Sequence, residues 1–182
     1  MPGQHEIQSP SPWVARWAAS IRPGGEVLDV ACGSGRHSRY LAARGCRVVA
    51  VDRDAAALTA LAAVPGVQTQ AADLEAAPWP FPPERFDGVI VSNYLHRPLF
   101  GSLVAALRPG GVLIYETFML GNEALGRPSN RDFLLRPGEL LDVLGARLTV
   151  VAFEQGRVDQ PKPAVIQRVC AARIAVECVT IG

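Results

Sequence analysis

The sequence contains a single lysine, Lys162, and its other basic residues are arginines and a few histidines scattered along the chain. Because the formal net charge is only +1, the average surface does not favour a polyanionic partner, and nucleic-acid binding is not expected. No apolar run approaches the roughly 18 residues that a membrane-spanning helix needs. The first residues also lack the basic stretch and apolar core of a secretory signal. We therefore expect a cytoplasmic protein without a membrane span.

Cysteine is scarce and lacks the spacing of a metal site. No CxxC pair and no nearby pair of histidines accompanies the four cysteines, Cys32, Cys46, Cys170 and Cys178. The pattern predicts reduced thiols, with neither a structural metal nor a disulfide framework.

The 182 residues suit one domain with a sizeable core, so we expect residues 1–182 to form a single domain. Residues 1–12 carry several prolines and predict a loose N-terminal segment. Residues 118–135 show neither helical nor strand periodicity and predict a lid loop.

Apolar runs alternate with helical periodicity along the chain. Strands are predicted over 27–30, 48–51, 67–71, 86–93, 112–117, 147–153 and 164–176. Helices are predicted from Pro12, after Gly35, from Asp54, and over 98–107 and 137–144. Helices thus separate the first five strands, although residues 76–85 form a loop, and residues 156–163 connect a final hairpin. This order predicts an α/β fold with a Rossmann-like, doubly wound, seven-stranded and mostly parallel sheet, in which the terminal hairpin supplies one antiparallel strand.

The segment from Glu26 to Asp52 combines a strand, a glycine turn, a helix, a second strand and a terminal acid, which is typical of a nucleotide-binding βαβ unit. The third glycine of the dinucleotide fingerprint is absent, since Ser38 stands in its place. The carboxylate of Asp29, inside the first strand, would repel a pyrophosphate and attract an ammonium group. S-adenosylmethionine carries an ammonium group and an adenosine but no phosphate. A nicotinamide-dependent oxidoreductase is therefore the less favoured alternative.

Residues 27–35, VLDVACGSG, resemble the first motif of the class I S-adenosylmethionine-dependent methyltransferases, with Ala31 where that family usually has glycine. The resemblance extends over roughly the whole chain. It includes Asp52 after the second strand, Asp73-Leu74 after the third, the fourth strand, the segment LRPGGVL over 107–113, and the hairpin ending. Small methyltransferases of the tellurite-resistance type are loosely similar.

The resemblance implies a role for each matching residue. Asp52 would bind the ribose hydroxyls, and Asp73 with Leu74 would border the adenine. Asp29 would hold the methionine ammonium directly or through water. The implied cofactor-binding set is Asp29, Ala31, Gly33, Gly35, Asp52, Arg53, Asp73, Leu74, Ser92 and Asn93. A helix-capping role for Asp52 and a turn role for Asp73 remain open alternatives.

Methyl transfer from a sulfonium is a direct displacement that needs a base only if the acceptor carries a proton. Polar residues at the ends of the fourth and fifth strands should face the methyl group. These residues make His96, Tyr94 and Glu116 the candidate catalytic groups, with His96 as the preferred base. A local structural role for His96 and a wall of the substrate pocket for Tyr94 are the competing interpretations.

The expected acceptor is a small molecule, because the catalytic fold takes up the whole sequence. Residues 93–96, NYLH, differ from the Asn-Pro-Pro-Tyr sequence of several amino-group methyltransferases, which argues against methylation of bases or glutamine amides. Arg127 and Arg131 in the lid segment would suit an anionic acceptor. A non-catalytic module that binds S-adenosylmethionine and a partner is the remaining alternative.

Overall fold

The computed structural model describes residues 9–174. Cys178, the last residues of the final predicted strand and most of the predicted loose N-terminal segment lie outside the described residues.

A seven-stranded sheet with α-helices in its connections makes up the described chain. The strands are β1 (Glu26–Val30), β2 (Arg47–Asp52), β3 (Val67–Ala71), β4 (Phe86–Ser92), β5 (Leu107–Phe118), β6 (Thr149–Val158) and β7 (Ala164–Ala172). The helices are α1 (Pro12–Trp17), α2 (Arg36–Ala43), α3 (Ala55–Thr59), α4 (Phe100–Ala106) and α5 (Glu139–Leu144).

The strand order is β3-β2-β1-β4-β5-β7-β6. Strands β1 to β5 pair in parallel, whereas β7 runs antiparallel to both of its neighbours, β5 and β6. The predicted Rossmann-like sheet with one antiparallel strand from the terminal hairpin is therefore confirmed. The strand order reverses between β1 and β4, which is where ligands bind in open α/β sheets.

Alternating side chains of the central strands bury apolar surface on both faces of the sheet. Val27 and Ile90 pack with Trp13 and Leu41, which belong to α1 and α2. Leu28, next to Val27 in β1, packs into the opposite cluster, which includes residues of α4 and α5. Because successive side chains of a strand point to opposite faces, a continuous apolar run is what such a doubly covered strand requires.

Two short polar residues start helices as the sequence predicts. The Ser11 hydroxyl accepts hydrogen bonds from the backbone N–H groups of the first turn of α1, and Pro12 occupies the first helical position. The Asp54 carboxylate accepts from Ala56 N and Ala57 N at the start of α3. Ser11 is buried, so residues 11 and 12 belong to the fold and the predicted loose segment is too long.

Several predicted boundaries are wrong for identifiable reasons. Helices do not separate all of the first five strands, because the connection from β3 to β4 is the predicted proline-rich loop and contains no helix. Strand β5 begins at Leu107, and an irregularity in its pairing with β4 accommodates the glycine pair that sequence reasoning placed before the strand. Strand β6 continues to Val158, which shortens the hairpin connection to residues 159–163.

The predicted lid segment is tied down at both ends. Phe118 is the last residue of β5, and Met119 and Leu135 form an isolated parallel bridge. Leu120 N donates to Leu135 O at 2.9 Å, and Leu135 N donates to Phe118 O at 3.0 Å. Residues 118–120 and 135 therefore form a fixed base under an exposed middle section.

Candidate active site

Two adjoining cavities lie at the carboxyl edge of the sheet. Their volumes are about 210 Å³ and about 370 Å³, and they share the lining residues Arg53, Glu75 and Tyr94. The first cavity is lined by Ala31, Asp52, Arg53, Ala72, Asp73, Leu74, Glu75 and Tyr94. The second cavity is lined by Arg53, Glu75, Asn93, Tyr94, Leu95, Thr117, Phe118, Pro128 and Phe133. Molecules bound in the two cavities would therefore be neighbours.

The glycine turn after β1 depends on backbone conformations that side chains resist. Gly33 and Gly35 have φ angles of 53° and 75°, and a Cβ on Gly35 would lie 2.2 Å from Leu61 Cδ2. Gly35 is therefore required both by its backbone and by the side chain packed against it. Ala31 also has a positive φ, 52°, at the position where the resembling family usually has glycine.

Asp52, at the end of β2, connects the glycine turn to the first cavity. Its Oδ2 accepts a hydrogen bond from Gly33 N at 2.8 Å, and its Oδ1 accepts from Asp54 N at 2.9 Å. Since Asp54 caps α3, the helix-cap interpretation of Asp52 is excluded. A carboxylate has about four acceptor sites, so both oxygens of Asp52 retain capacity for ligand hydroxyls.

Asp73 and Leu74 follow β3 and form the far wall of the first cavity. Asp73 Oδ1 accepts from Glu75 N at 3.0 Å and from Ala76 N at 3.2 Å, so this carboxylate does organise a turn. The turn and the cavity wall are two roles of the same residue, because the turn fixes the backbone of Leu74 against the cavity.

Asp29 lies beneath the glycine turn and lines neither of the two cavities. Its side chain is only 1% exposed, and Oδ2 accepts from Ser38 Oγ at 2.6 Å. Burial raises the pKa of Asp29 to about 6, against the lowering effect of the hydrogen bonds from Ser38. Any influence of Asp29 on a ligand ammonium would therefore act through the field of the buried carboxylate or through an intervening group.

A chain of polar side chains crosses the point where the strand order reverses. Arg36, the first residue of α2, places a guanidinium nitrogen 3.3 Å from Ser92 Oγ. Ser92 Oγ in turn donates to Glu116 Oε1 at 3.1 Å. Sequence reasoning selected Ser92 and Glu116 but missed Arg36, whose position directly after the glycine turn was the available signal.

Tyr94 is the aromatic residue that lines both cavities. Burial first, and then the adjacent Glu75 carboxylate and the charge of Asp73, raise the pKa of the Tyr94 phenol above its ordinary value. Tyr94 is consequently a neutral phenol at physiological pH. Its backbone carbonyl accepts from the hydroxyl of Tyr115 at 2.8 Å, which fixes the loop after β4 to β5.

His96 lines neither cavity, although sequence reasoning made it the preferred base. Its backbone carbonyl accepts from Leu99 N at 3.0 Å in the turn that leads into α4. Asn93 does reach the second cavity, with a φ of 57° and its N–H bonded to Glu116 O at 3.0 Å. The structure therefore brings Asn93 and Tyr94, but not His96, to the cavities.

Glu75 and Phe133 are cavity residues that sequence reasoning did not identify individually. Glu75 lies two positions after Asp73 in a proline-rich loop without periodicity, and only its neighbour Leu74 gave a signal. Phe133 belongs to the predicted lid segment, and it is half exposed. Arg127 and Arg131 of the same segment line neither cavity, which weakens the expectation of an anionic acceptor.

Within residues 9–174, no group of three or more histidine, cysteine, aspartate or glutamate side chains is arranged to hold a metal ion. None of the helices in that same range is long and apolar enough to cross a membrane.

Comparison with known proteins shows a similarity to methyltransferase domains over part of the chain. Residues 27–111, which run from β1 through the glycine turn to the start of β5, match the family model described as a methyltransferase domain. The match covers 85 of the 182 residues, and it fits the resemblance to the class I S-adenosylmethionine-dependent methyltransferases. S-adenosylmethionine is the cofactor of this family. A curated relative, the ribosomal RNA small subunit methyltransferase H of Nostoc punctiforme, is 42% identical over 84 residues, which are 41% of this chain and 28% of that protein.

Solved structures of known proteins share the fold. TehB from Haemophilus influenzae superposes with a TM-score of 0.77 at 17% identity, over 93% of this chain and 64% of TehB. The 1,6-didemethyltoxoflavin-N1-methyltransferase of Burkholderia thailandensis, solved with S-adenosylhomocysteine, gives 0.66 at 24% identity, over 90% and 77% of the two chains. At 17% and 24% identity these two structures show that the fold is shared. This chain spans between 28% and 42% of the length of the first curated relatives that it matches.

Proposed function

We propose that this chain transfers the methyl group of S-adenosylmethionine to a small-molecule acceptor by direct displacement. The observation that carries the proposal is the pair of cavities that meet at Tyr94, at the carboxyl ends of β1 to β5. One cavity has the residues expected around an adenosine, and the other has room for a second molecule beside it. Direct displacement requires this arrangement, because nucleophile, methyl group and sulfur must lie in line.

The residues of the first cavity, and those of the glycine turn and the start of α2 beside it, fit the cofactor. Asp52 offers acceptor oxygens to the ribose hydroxyls, and Asp73 with Leu74 borders the adenine. Gly33 brings no side chain, and a Cβ built there meets nothing within 4 Å, so the backbone is open to a ligand. Arg36, at the start of α2, is a cation available for the methionine carboxylate. When bound, S-adenosylmethionine supplies an electrophilic methyl group.

Glu75 is the group that would take a proton from the molecule that receives the methyl group. It lines both cavities, next to the phenol of Tyr94. Tyr94 has a raised pKa, so it acts as a neutral hydrogen-bond donor and a wall of the site rather than as a base. A carboxylate where the two cavities meet can itself take up the proton that a hydroxyl or amine acceptor loses, so no further base is required.

The roles first assigned to His96 and Glu116 change accordingly. Glu116 accepts from Ser92, which is hydrogen-bonded to Arg36, so it orients the end of the cofactor site instead of reacting. For His96, a catalytic role would need the loop that holds it to move. Normal methylation by a His96→Ala variant would remove this residue from catalysis.

A small-molecule acceptor is supported by the volume of the second cavity, about 370 Å³, which lies in the range of small-ligand pockets. The B. thailandensis enzyme of the same fold was solved with 1,6-didemethyltoxoflavin bound. The relative from N. punctiforme acts on ribosomal RNA, but the shared region is less than half of this chain. The cytoplasmic location expected from the sequence stays a prediction.

Isothermal titration with S-adenosylhomocysteine and with NADH tests the cofactor assignment. Binding of S-adenosylhomocysteine without NADH supports the proposal, whereas the reverse would establish the oxidoreductase alternative. A screen of acceptors with methyl-labelled S-adenosylmethionine then separates an enzyme from a module that only binds the cofactor.

A further inference from the structure

The second cavity has walls of a specific chemistry. Aromatic rings come from three separate parts of the chain: Tyr94 after β4, Phe118 at the end of β5, and Phe133 in the lid segment. Leu95 and Pro128 complete the apolar lining. At about 370 Å³ the cavity accommodates one or two rings rather than a folded or polymeric substrate.

Phe133 is unusual among these walls, because half of this large apolar side chain is exposed. Hydrogen bonds fix the backbone of the residues before and after it in the sequence. The guanidinium of Arg97 donates to Asp132 O at 2.7 Å and to Leu134 O at 2.9 Å, one on each side of Phe133. Arg97 is itself held by Glu139, with nitrogen–oxygen distances of 2.6 Å and 3.1 Å. The backbone of Phe133 is therefore held in place, although its ring contacts solvent.

The backbone of Phe118, a second aromatic residue of the lining, is fixed as well. Phe118 O accepts from Leu135 N at 3.0 Å, so the end of β5 and the end of the lid segment are hydrogen-bonded to each other. This bond sets the separation between the backbones that carry Phe118 and Phe133. A pair of aromatic walls on fixed backbones binds flat molecules at low entropic cost.

Polar groups also contribute to the lining. Arg53 and Glu75 line both cavities, and Asn93 and Thr117 come from the ends of β4 and β5. A ligand held by the aromatic rings would therefore meet the Glu75 carboxylate where the second cavity adjoins the first.

We propose that the methyl acceptor is a planar aromatic or heteroaromatic molecule of one or two rings, held against Phe133, with its hydroxyl or ring-nitrogen nucleophile toward Glu75. This proposal rests on the proposed function, because it assigns the substrate class of the same site. It follows from the fixed exposed ring and from the placement of the polar lining.

Binding of paired probes tests the proposal. The wild-type protein saturated with S-adenosylhomocysteine is titrated by ligand-observed NMR with 2-naphthol, indole and quinolin-2-one, and with decahydro-2-naphthol as the saturated counterpart of the first. We expect at least one planar probe to bind, and decahydro-2-naphthol to bind about threefold to tenfold more weakly than 2-naphthol if 2-naphthol is that probe. Failure of all three planar probes at millimolar concentration, or equal binding of the two naphthol analogues, overturns the proposal.

Variants assign the effect to Phe133. Phe133→Ala should weaken the planar probe about threefold to tenfold and leave the affinity for S-adenosylhomocysteine unchanged. Leu125→Ala is the matched control, because Leu125 is exposed in the same segment but lines neither cavity. Probe affinity that is insensitive to Phe133→Ala contradicts the assignment. Absence of S-adenosylhomocysteine binding by the wild-type protein would instead refute the proposed function itself.

Discussion

The Ser38 hydroxyl donates a hydrogen bond to the Asp29 carboxylate at 2.6 Å inside the protein, between the first strand and α2. Because the carboxyl is 1% exposed, burial raises its pKa from 3.8 to about 6. A carboxyl with a pKa raised in the folded state contributes stability below the unfolded pKa and loses it as pH rises through the folded value. Asp29 therefore disfavours folding above pH 6, by up to about 3 kcal/mol.

Replacement of Asp29 isolates this contribution. We expect the free energy of unfolding of Asp29→Asn, relative to wild type, to rise between pH 4 and pH 7 by about 1 to 3 kcal/mol, because the variant carries no buried charge. Urea unfolding at several pH values measures this difference. A difference that stays constant over this range would show that Asp29 does not titrate there.

His37 makes an opposite contribution at acid pH. Its Nε2 accepts from Ser11 N at 3.2 Å, and burial followed by the charge of Arg36 lowers its pKa from 6.5 to about 3. Below pH 6.5 the unfolded chain binds a proton at His37 that the folded chain does not bind, so the free energy of unfolding falls as pH decreases toward 3. Between pH 7 and pH 5, we expect the free energy of unfolding of His37→Gln, measured by urea unfolding, to fall by about 1 to 2 kcal/mol less than that of wild type. His96→Gln is the control, and an equal acid response of both variants would contradict the assignment.

Asp52 and Asp54 form a matched pair of acids with different roles. Asp52→Ala removes acceptors from the first cavity and should weaken S-adenosylhomocysteine about tenfold to hundredfold. Asp54→Ala removes the cap of α3 and should cost about 1 kcal/mol of stability while leaving that affinity unchanged. Isothermal titration and thermal unfolding separate the two effects. Unchanged affinity in Asp52→Ala would mean that the ribose lies elsewhere.

The pair of Arg97 and Glu139 stabilises the lid segment. Glu139 is 2% exposed, so Arg97→Ala strips a buried carboxylate of its main partner. We expect a loss of about 2 to 3 kcal/mol, less than for a fully buried pair, because Arg97 is partly exposed and Arg136 N still donates to Glu139 at 2.7 Å.

The pH dependence of this loss provides a second measurement. Burial acts to raise the pKa of Glu139, but the hydrogen bonds and charge of Arg97 and Arg136 outweigh it, so the pKa is lowered. In wild type this contribution is present above the unfolded pKa and is lost as pH falls through the folded value. The difference between wild type and Arg97→Ala should therefore shrink toward pH 4. Arg136→Ala, which removes a mostly exposed side chain at 3.5 Å, should cost under about 1 kcal/mol at either pH.

Local signals in the sequence were sufficient for the sheet and for the glycine turn. Hydrophobic periodicity and turn residues act within a few positions, so the βαβ unit from Glu26 to Asp52 and the cap at Asp54 could be predicted. The residues that line the second cavity could not be predicted in this way. Phe133 meets it only because Arg97, 36 positions earlier, holds the backbone on both sides of Phe133, and no periodicity reports such a contact. The sequence shows that Asp29 is an unusual acid in an apolar strand. The orientation of its carboxylate depends on the hydrogen bond from Ser38 in α2, which the sequence does not reveal.

Gly35 and Gly24 offer a test of why the glycine turn needs its last glycine. Both have positive φ angles, 75° and 68°, so an alanine at either position is strained by about 1 to 2 kcal/mol. Only at Gly35 would the new Cβ also meet a side chain, Leu61, at 2.2 Å, whereas at Gly24 it would meet nothing within 4 Å. Gly35→Ala should therefore cost about 1 to 3 kcal/mol more than Gly24→Ala in urea unfolding, because overpacking adds to the backbone strain. Equal losses would show that Leu61 moves aside, and that the turn requires glycine for its backbone alone.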